Sequence, residues 1–117
     1  MAFGMSRIST HILDLMHGRP ANDVPVKLER QQASGSWQSI SSARTDQDGR
    51  CSQLLEQGEL SPGVYRLSFD TRTYFDAHKL NGLYPVVEVT FHVRDGESRL
   101  HIPLLLSANG YTTYRGS

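Results

Sequence analysis

The chain has 117 residues, of which 38% are hydrophobic and 21% are charged, and its 12 basic side chains balance its 12 acidic ones. This length and composition predict a single globular domain over residues 1–117, large enough to bury a core without disulfides or structural metals. The neutral balance argues against a general nucleic-acid-binding or membrane-surface protein, and no apolar run is long enough for a transmembrane helix.

Cysteine content and the N-terminal sequence indicate the compartment. Cys51 is the only cysteine, so an internal disulfide is excluded, which fits a reducing environment. The first residues, MAFGMSRISTHILD, contain one early basic residue and lack the long apolar stretch of a secretory signal. We therefore expect a cytoplasmic protein.

Alternation of apolar and polar residues, which is typical of half-buried β-strands, dominates the chain. In chain order it predicts strands at residues 8–13, 24–29, 37–43, 51–56, 65–70, 87–94, 100–106 and 111–114. Turn-forming stretches such as SGS, DQDGR, SPG and RDGES separate these strands. Short strands at this spacing predict an all-β sandwich.

The stretch DTRTYFDAHKLNG is the exception to the strand pattern. Asp70 is a favourable helix N-cap, because its carboxylate can accept hydrogen bonds from the first backbone amides of a helix. Asn81 and Gly82 are residue types that commonly end helices. We therefore predict a helix of about two turns between Asp70 and Asn81.

Two predicted strands carry an unusual outer face. If Ile8 and Ile12 face the core, the first strand turns the following side chains outward: Ser9, His11 and Leu13. The strand at 100–106 likewise turns outward His101, Pro103 and Leu105. Outward apolar residues beside histidines indicate a covered face, most simply one buried by another subunit.

The other polar candidates have simpler interpretations. A histidine is more often a surface or hydrogen-bonded residue than a catalytic one, and this applies to His17, His78 and His92. Thr10 and Ser107 are expected to satisfy backbone groups. The scattered histidines and the single cysteine predict no metal site, and TDQDGR, which lacks the terminal glutamate of a calcium loop, is predicted to be a turn.

Four stretches of the chain carry recognisable motifs. HILDLMHGRPANDVPV at residues 11–26 and HIPLLLSANGYTT at 101–113 resemble the first and second signatures of the transthyretin family. TDQDGR at 45–50 and YPVVEVTF at 84–91 resemble the turn and a strand between them. The resemblance covers residues 7–117 and implies a transthyretin-like, eight-stranded β-sandwich with one short helix.

The family contains hormone carriers and 5-hydroxyisourate hydrolases, and this chain resembles the hydrolases. It has His11 where carriers have lysine, Arg50 where they have glutamate, and His101 where they have threonine. The final residues YRGS, 114–117, match the terminal tetrapeptide of the hydrolases. The resemblance therefore implies hydrolysis of 5-hydroxyisourate to 2-oxo-4-hydroxy-4-carboxy-5-ureidoimidazoline, without a cofactor.

The resemblance also implies roles for individual residues. The predicted catalytic residues are His11, Arg50, His101 and Ser117, and the predicted substrate-binding residues are His11, Arg50 and Tyr114. We expect His101 to be the base and His11 to position water or substrate, although the reverse assignment stays open. Arg50 would stabilise the oxyanion and favour the neutral form of nearby histidines.

The implied assembly is a homotetramer, a dimer of dimers in which outer sheet faces enclose a channel and His11 and His101 line it. Two other classes of protein stay open. A small-molecule carrier would have an apolar or ion-pairing channel instead of two histidines and an arginine. A structural or adhesive sandwich would have a polar outer face.

Overall fold

The computed structural model describes residues 7–55 and 60–117. Within them lie nine strands and one helix: β1 (Ile8–Asp14), β2 (Arg19–Pro20), β3 (Pro25–Gln31), β4 (Trp37–Arg44), β5 (Arg50–Leu55), β6 (Gly63–Phe69), α1 (Thr71–Ala77), β7 (Val87–Val93), β8 (Leu100–Ser107) and β9 (Gly110–Thr113). All eight predicted strands are present, and β2 is a two-residue addition. The end predicted for the fourth strand, Glu56, lies outside the described residues.

The strands form two sheets. The first has the order β2-β1-β8-β9, with β5 also paired to β1, and the second has the order β4-β3-β6-β7. β1 and β8 run parallel, whereas the other pairs are antiparallel. The parallel pair joins strands from the two ends of the described chain at the centre of the first sheet.

One cluster of buried apolar side chains fills the space between the sheets. β1 and β8 contribute the residues predicted to face inward: Ile8, Ile12, Leu100, Ile102, Leu104 and Leu106. The buried hydroxyl of Thr10 donates to the Ile102 carbonyl, and the partly buried hydroxyl of Ser107 donates to the Gly110 carbonyl, which confirms their structural roles. That residues 1–117 form one domain stays a prediction, because residues 1–6 and 56–59 lie outside the described part.

Helix α1 begins as predicted and ends earlier than predicted. The Asp70 carboxylate accepts hydrogen bonds from the Thr73 backbone amide, at 3.1 Å, and from its hydroxyl, at 2.7 Å. Lys79 then adopts a left-handed φ of 56°. The Leu80 amide donates to the Phe75 carbonyl and the Lys79 amide to the Asp76 carbonyl, which is the Schellman pattern.

The predicted helix end at Asn81 is therefore wrong, and Gly82 has another role. A Cβ placed on Gly82 would overlap the Phe75 ring, so only glycine lets the chain pass this close to that buried side chain. With seven residues, α1 is short, and no helix in the described ranges is long and apolar enough to cross a bilayer.

The TDQDGR segment forms the predicted turn. The Asp46 side chain accepts hydrogen bonds from the backbone amides of Asp48, at 2.9 Å, and Arg50, at 3.0 Å. Gly49 has a φ of 75°, and a Cβ there would collide with the carbonyl oxygen of Ile12. The turn thus packs tightly against β1 and places Arg50 at the start of β5.

Candidate active site

Strand register brings three predicted site residues to one outer face of the first sheet. The antiparallel β1–β5 pair places His11 opposite Arg50. The parallel β1–β8 pair places Ser9 opposite His101 and His11 opposite Pro103. Paired residues point to the same side of a sheet, and Ile8 and Ile12 point into the core, so this group points away from it.

The His101 ring lies between β1 and the C-terminal segment. The ring Nδ1 lies 2.9 Å from Ser9 Oγ, and the backbone carbonyl oxygen of His101 accepts a hydrogen bond from the Gly116 amide at 2.8 Å. Gly116 approaches so closely that a Cβ there would come within 2.5 Å of the ring Cδ2. The imidazole is therefore held on both edges.

The surroundings of His101 favour its neutral form. Burial lowers the pKa of its imidazole below the usual value, and the nearby charges of His11 and Arg50 lower that pKa further. This agrees with the direction predicted for Arg50. At neutral pH the ring therefore carries one N–H and one lone pair, which is the form that can accept a proton.

Arg50 is free to bind a ligand. Its backbone is fixed by Asp46, but within residues 7–55 and 60–117 its guanidinium has no carboxylate partner. The side chain lines a cleft of about 610 Å³ together with Ser9, His101 and the C-terminal Gly116 and Ser117. We call this the histidine cleft.

Two of the predicted site residues, His11 and Tyr114, do not line the histidine cleft. His11 is half-buried and flanks Arg50 across the β1–β5 pair. Tyr114 lines a neighbouring cleft of about 310 Å³, beside Phe91 and Ile102, and is 53% exposed. Within the chain, the structure therefore brings together His101, Arg50 and Ser117, with His11 next to them, and sets Tyr114 apart.

The C-terminal segment is anchored over Pro103 and beside the β7–β8 turn. Thr113 Oγ1 donates to the Pro103 carbonyl at 2.7 Å, and Gly116 lies against the Pro103 ring, so Pro103 is buried although it points outward as predicted. The Arg115 guanidinium donates two hydrogen bonds to Glu97, at 2.6 and 3.1 Å. Hydrogen bonding to Arg115 lowers the pKa of Glu97, so this ion pair persists at neutral pH.

Cys51 lies beside the histidine cleft but is a poor nucleophile. Burial, with a smaller contribution from the Asp46 charge, raises the pKa of its thiol to about 11. The thiol therefore stays protonated at neutral pH, and only the thiolate is strongly nucleophilic. In the described part of the chain, no group of three or more His, Cys, Asp or Glu residues is placed to hold a metal ion.

Sequence reasoning missed Ser9 and Glu97. Ser9 faces outward two residues before His11, and its partner His101 comes from the far end of the chain, so only the β1–β8 register reveals the contact. Glu97 belongs to the RDGES turn, and its pairing with Arg115 has no sequence signature.

The arrangement suits the activation of water near an electrophilic carbon. A neutral imidazole can remove a proton from water, and the Arg50 guanidinium can stabilise an oxyanion. The hydroxyls of Ser9 and Ser117 lie in the same cleft. The groups are polar and hydrogen-bonding, as a small, oxygen-rich molecule requires.

Comparisons with known proteins agree on one family. The HIUase/Transthyretin family profile matches residues 8–116. The 5-hydroxyisourate hydrolase of Salmonella typhi is 43% identical over 117 residues, covering 100% of this chain and 85% of that protein. That of Mus musculus is 41% identical over 118 residues, covering 100% of both. Sea bream transthyretin in complex with thyroxine has a TM-score of 0.89, with 32% identity and 94% of each chain covered.

Proposed function

The chain belongs to the HIUase/Transthyretin family, and on that premise we propose that it is a 5-hydroxyisourate hydrolase. Relatives of that name from bacteria and animals match it along its whole length. The observation that carries the proposal is the pairing, in one cleft, of a neutral His101 with an Arg50 guanidinium that has no partner among the described residues. This pairing provides both the base and the positive charge that the hydrolysis of a cyclic amide requires.

The proposed reaction cleaves the N1–C6 bond of 5-hydroxyisourate. His101 Nε2 removes a proton from water as the water oxygen bonds to C6. The tetrahedral intermediate then collapses, the C6–N1 bond breaks, and N1 takes up the proton from the imidazolium. The product is 2-oxo-4-hydroxy-4-carboxy-5-ureidoimidazoline, and a general base of this kind typically contributes about 10²–10⁴-fold to the rate.

Arg50 stabilises the negative charge that develops on the C6 oxygen. A guanidinium presents a rigid set of N–H donors that matches planar, oxygen-rich groups. Among the described residues no carboxylate competes for this side chain, so its donors are available to the substrate. His11, beside Arg50, is assigned to positioning water or substrate, and the Ser117 hydroxyl to binding substrate or passing a proton.

We also propose a homotetramer, built as a dimer of dimers. The outer face of β1 and β8 that carries His11 and His101 also carries Leu13 and Leu105, and Leu15, just past β1, is 58% exposed. β7 and β9 are edge strands with one paired side each, which favours association through their edges. Because Tyr114 lies outside the histidine cleft of its own subunit, its predicted contact with substrate would have to be made in the cleft of a neighbouring subunit.

The carrier alternative rests on the fold alone. Sea bream transthyretin, whose structure was solved in complex with thyroxine, shares this fold. A carrier of this type would have apolar or ion-pairing channel residues, whereas the cleft here contains His101, Arg50 and serine hydroxyls. For the location of the protein we propose the cytoplasm, supported by the single, buried cysteine.

The test is a direct assay. Urate oxidase generates 5-hydroxyisourate from urate, and its ultraviolet absorbance decays spontaneously. We expect the purified protein to accelerate this decay in proportion to its concentration. A decay rate unchanged by the protein would overturn the proposed function.

A further inference from the structure

The two ring nitrogens of His101 have different surroundings. Nδ1 lies 2.9 Å from Ser9 Oγ. On the opposite edge Cδ2 faces Gly116, and since Nδ1 is occupied by Ser9, Nε2 is the ring nitrogen left for the histidine cleft, which His101 lines. Because the ring is neutral, it carries a single N–H, and the nitrogen that holds this hydrogen decides which one can accept a proton.

The Ser9 hydroxyl is compatible with either tautomer, since it can donate a hydrogen bond to Nδ1 or accept one from it. Among the described residues, Ser9 Oγ makes one side-chain hydrogen bond, which is the one to His101 Nδ1. If Ser9 donates, Nδ1 holds the lone pair and Nε2 points its hydrogen into the cleft. If Ser9 accepts, Nδ1 holds the hydrogen and the Nε2 lone pair faces the cleft.

Charge in the cleft favours the second arrangement. Arg50 lines the cleft and has no carboxylate partner among the described residues, whereas the charge of Arg115, which also lines it, is paired with Glu97. A lone pair directed toward positive charge is electrostatically favourable, whereas an N–H dipole directed toward it is not. The Ser9 hydrogen is free to turn toward water, since the cleft is open beside it.

We infer that Ser9 is a positioning residue: its hydroxyl oxygen accepts the Nδ1–H of His101 and thereby keeps the Nε2 lone pair directed into the histidine cleft. The inference builds on the proposed function, because it assigns the atom that removes the proton from water. Ser9 acts through His101, and its place is set by the β1–β8 register, which aligns Ser9 with His101. The backbone of the sheet thus fixes the distance between the two groups.

The first experiment reads the tautomer directly. In ¹⁵N-labelled full-length protein at neutral pH, the His101 ring signals are assigned by their loss in His101→Gln. We expect a protonated Nδ1 and an unprotonated Nε2 in the wild type and in Ser9→Thr, and a shift toward the Nε2–H tautomer in Ser9→Ala. Ser39→Ala, a matched change on the exposed part of β4, should leave the signals unchanged.

A wild-type spectrum with the hydrogen on Nε2 would overturn the inference, as would a Ser9→Ala spectrum identical to wild type. The wild-type spectrum alone keeps the inference testable if Ser9→Ala does not fold. This readout needs no substrate, so it separates a wrong role for Ser9 from a wrong function for the protein.

The second experiment connects the tautomer to turnover. For Ser9→Ala we expect kcat to fall by about tenfold with KM changed less than about twofold, because a proton acceptor is lost and no substrate contact is removed. Ser9→Thr, which keeps the hydroxyl, should restore at least about half of the wild-type kcat. An unchanged kcat in Ser9→Ala, despite an altered tautomer, would refute the link to catalysis.

Discussion

At the residue scale, the histidine cleft combines a permanent positive charge with a lone pair. A guanidinium stays protonated at every ordinary pH, so Arg50 supplies the charge. His101 supplies the lone pair, because burial and the neighbouring charges make its imidazole lose a proton more readily than a free histidine does. The same arginine therefore stabilises the proposed oxyanion and helps to keep the base unprotonated.

This coupling predicts the pH dependence of the reaction. A base must be deprotonated to act, and an unperturbed histidine has a pKa of about 6.5. Because the pKa of His101 is lowered, we expect kcat/KM to hold as the pH falls through that value and to decline only at lower pH. The measurement is the acidic limb of the kcat/KM profile in the 5-hydroxyisourate assay.

Arg50→Gln provides the matched comparison. It removes one of the charges that lower the pKa of His101, so the acidic limb should move toward higher pH while the maximal rate falls by at least about 10²-fold through loss of oxyanion stabilisation. Burial, the largest cause, is unchanged, so the limb should move only part of the way. If the acidic limb of the wild-type kcat/KM profile gave an apparent pKa above that of an ordinary histidine, this account would be contradicted.

At the element scale, helix α1 shows how packing sets where an element ends. Its start follows from local chemistry, since the Asp70 side chain caps the first turn. Its end is set by Leu80, which packs against the core, and by the left-handed turn at Lys79 that brings Leu80 there. Asn81 and Gly82 are favourable helix-ending residues, but the chain has already left the helix when it reaches them.

The close approach of Gly82 to Phe75 gives a stability prediction. Gly82→Ala introduces a Cβ that overlaps a buried aromatic ring, so we expect a loss of about 1–3 kcal/mol in the free energy of unfolding. Gly110→Ala is the control, because a Cβ there would meet its nearest atom, Ser107 Oγ, at 3.9 Å. Urea unfolding of both variants checks the prediction, and equal losses would contradict it.

Much of the architecture could be predicted because a half-buried strand requires apolar residues at every second position. β1 alternates strictly between buried and half-buried residues, and β8 does so except at Pro103, so their inward and outward residues could be assigned from the sequence. The contact between Ser9 and His101 could not be predicted, since it depends on the register of two strands distant in sequence. The burial of Pro103 under the C-terminal segment likewise required the tertiary structure.

At the scale of the whole molecule, the outer face of the first sheet divides into two halves. The half that holds Ser9 and His101 is polar, whereas the half that continues through Leu13 and Leu105 to Leu15 is apolar. An apolar surface of this kind next to polar groups is typical of a subunit contact. The proposed tetramer would bury the apolar half and leave the polar half lining the channel.

Leu15→Asp tests this assembly. The side chain is exposed in the subunit, so the change should leave the fold intact while placing a charge in the proposed contact. We expect sedimentation equilibrium to give about four times the 13.1 kDa chain mass for the wild type and a smaller species for the variant. Ile40→Asp, at an exposed position of the other sheet, should remain tetrameric, and a wild-type monomer would contradict the proposal.

The parallel pairing of β1 with β8 also governs when the site can form during folding. Ser9 and His101 are 92 residues apart in the chain, so the β1–β8 strand pair that holds both is among the most non-local pairings available to a chain of this length. β1 stands near the start of the described chain and β8 near its end, so β1 is synthesised long before its parallel partner. The face that carries the proposed catalytic residues is therefore expected to assemble late, and we expect the slowest step of refolding to coincide with the recovery of activity.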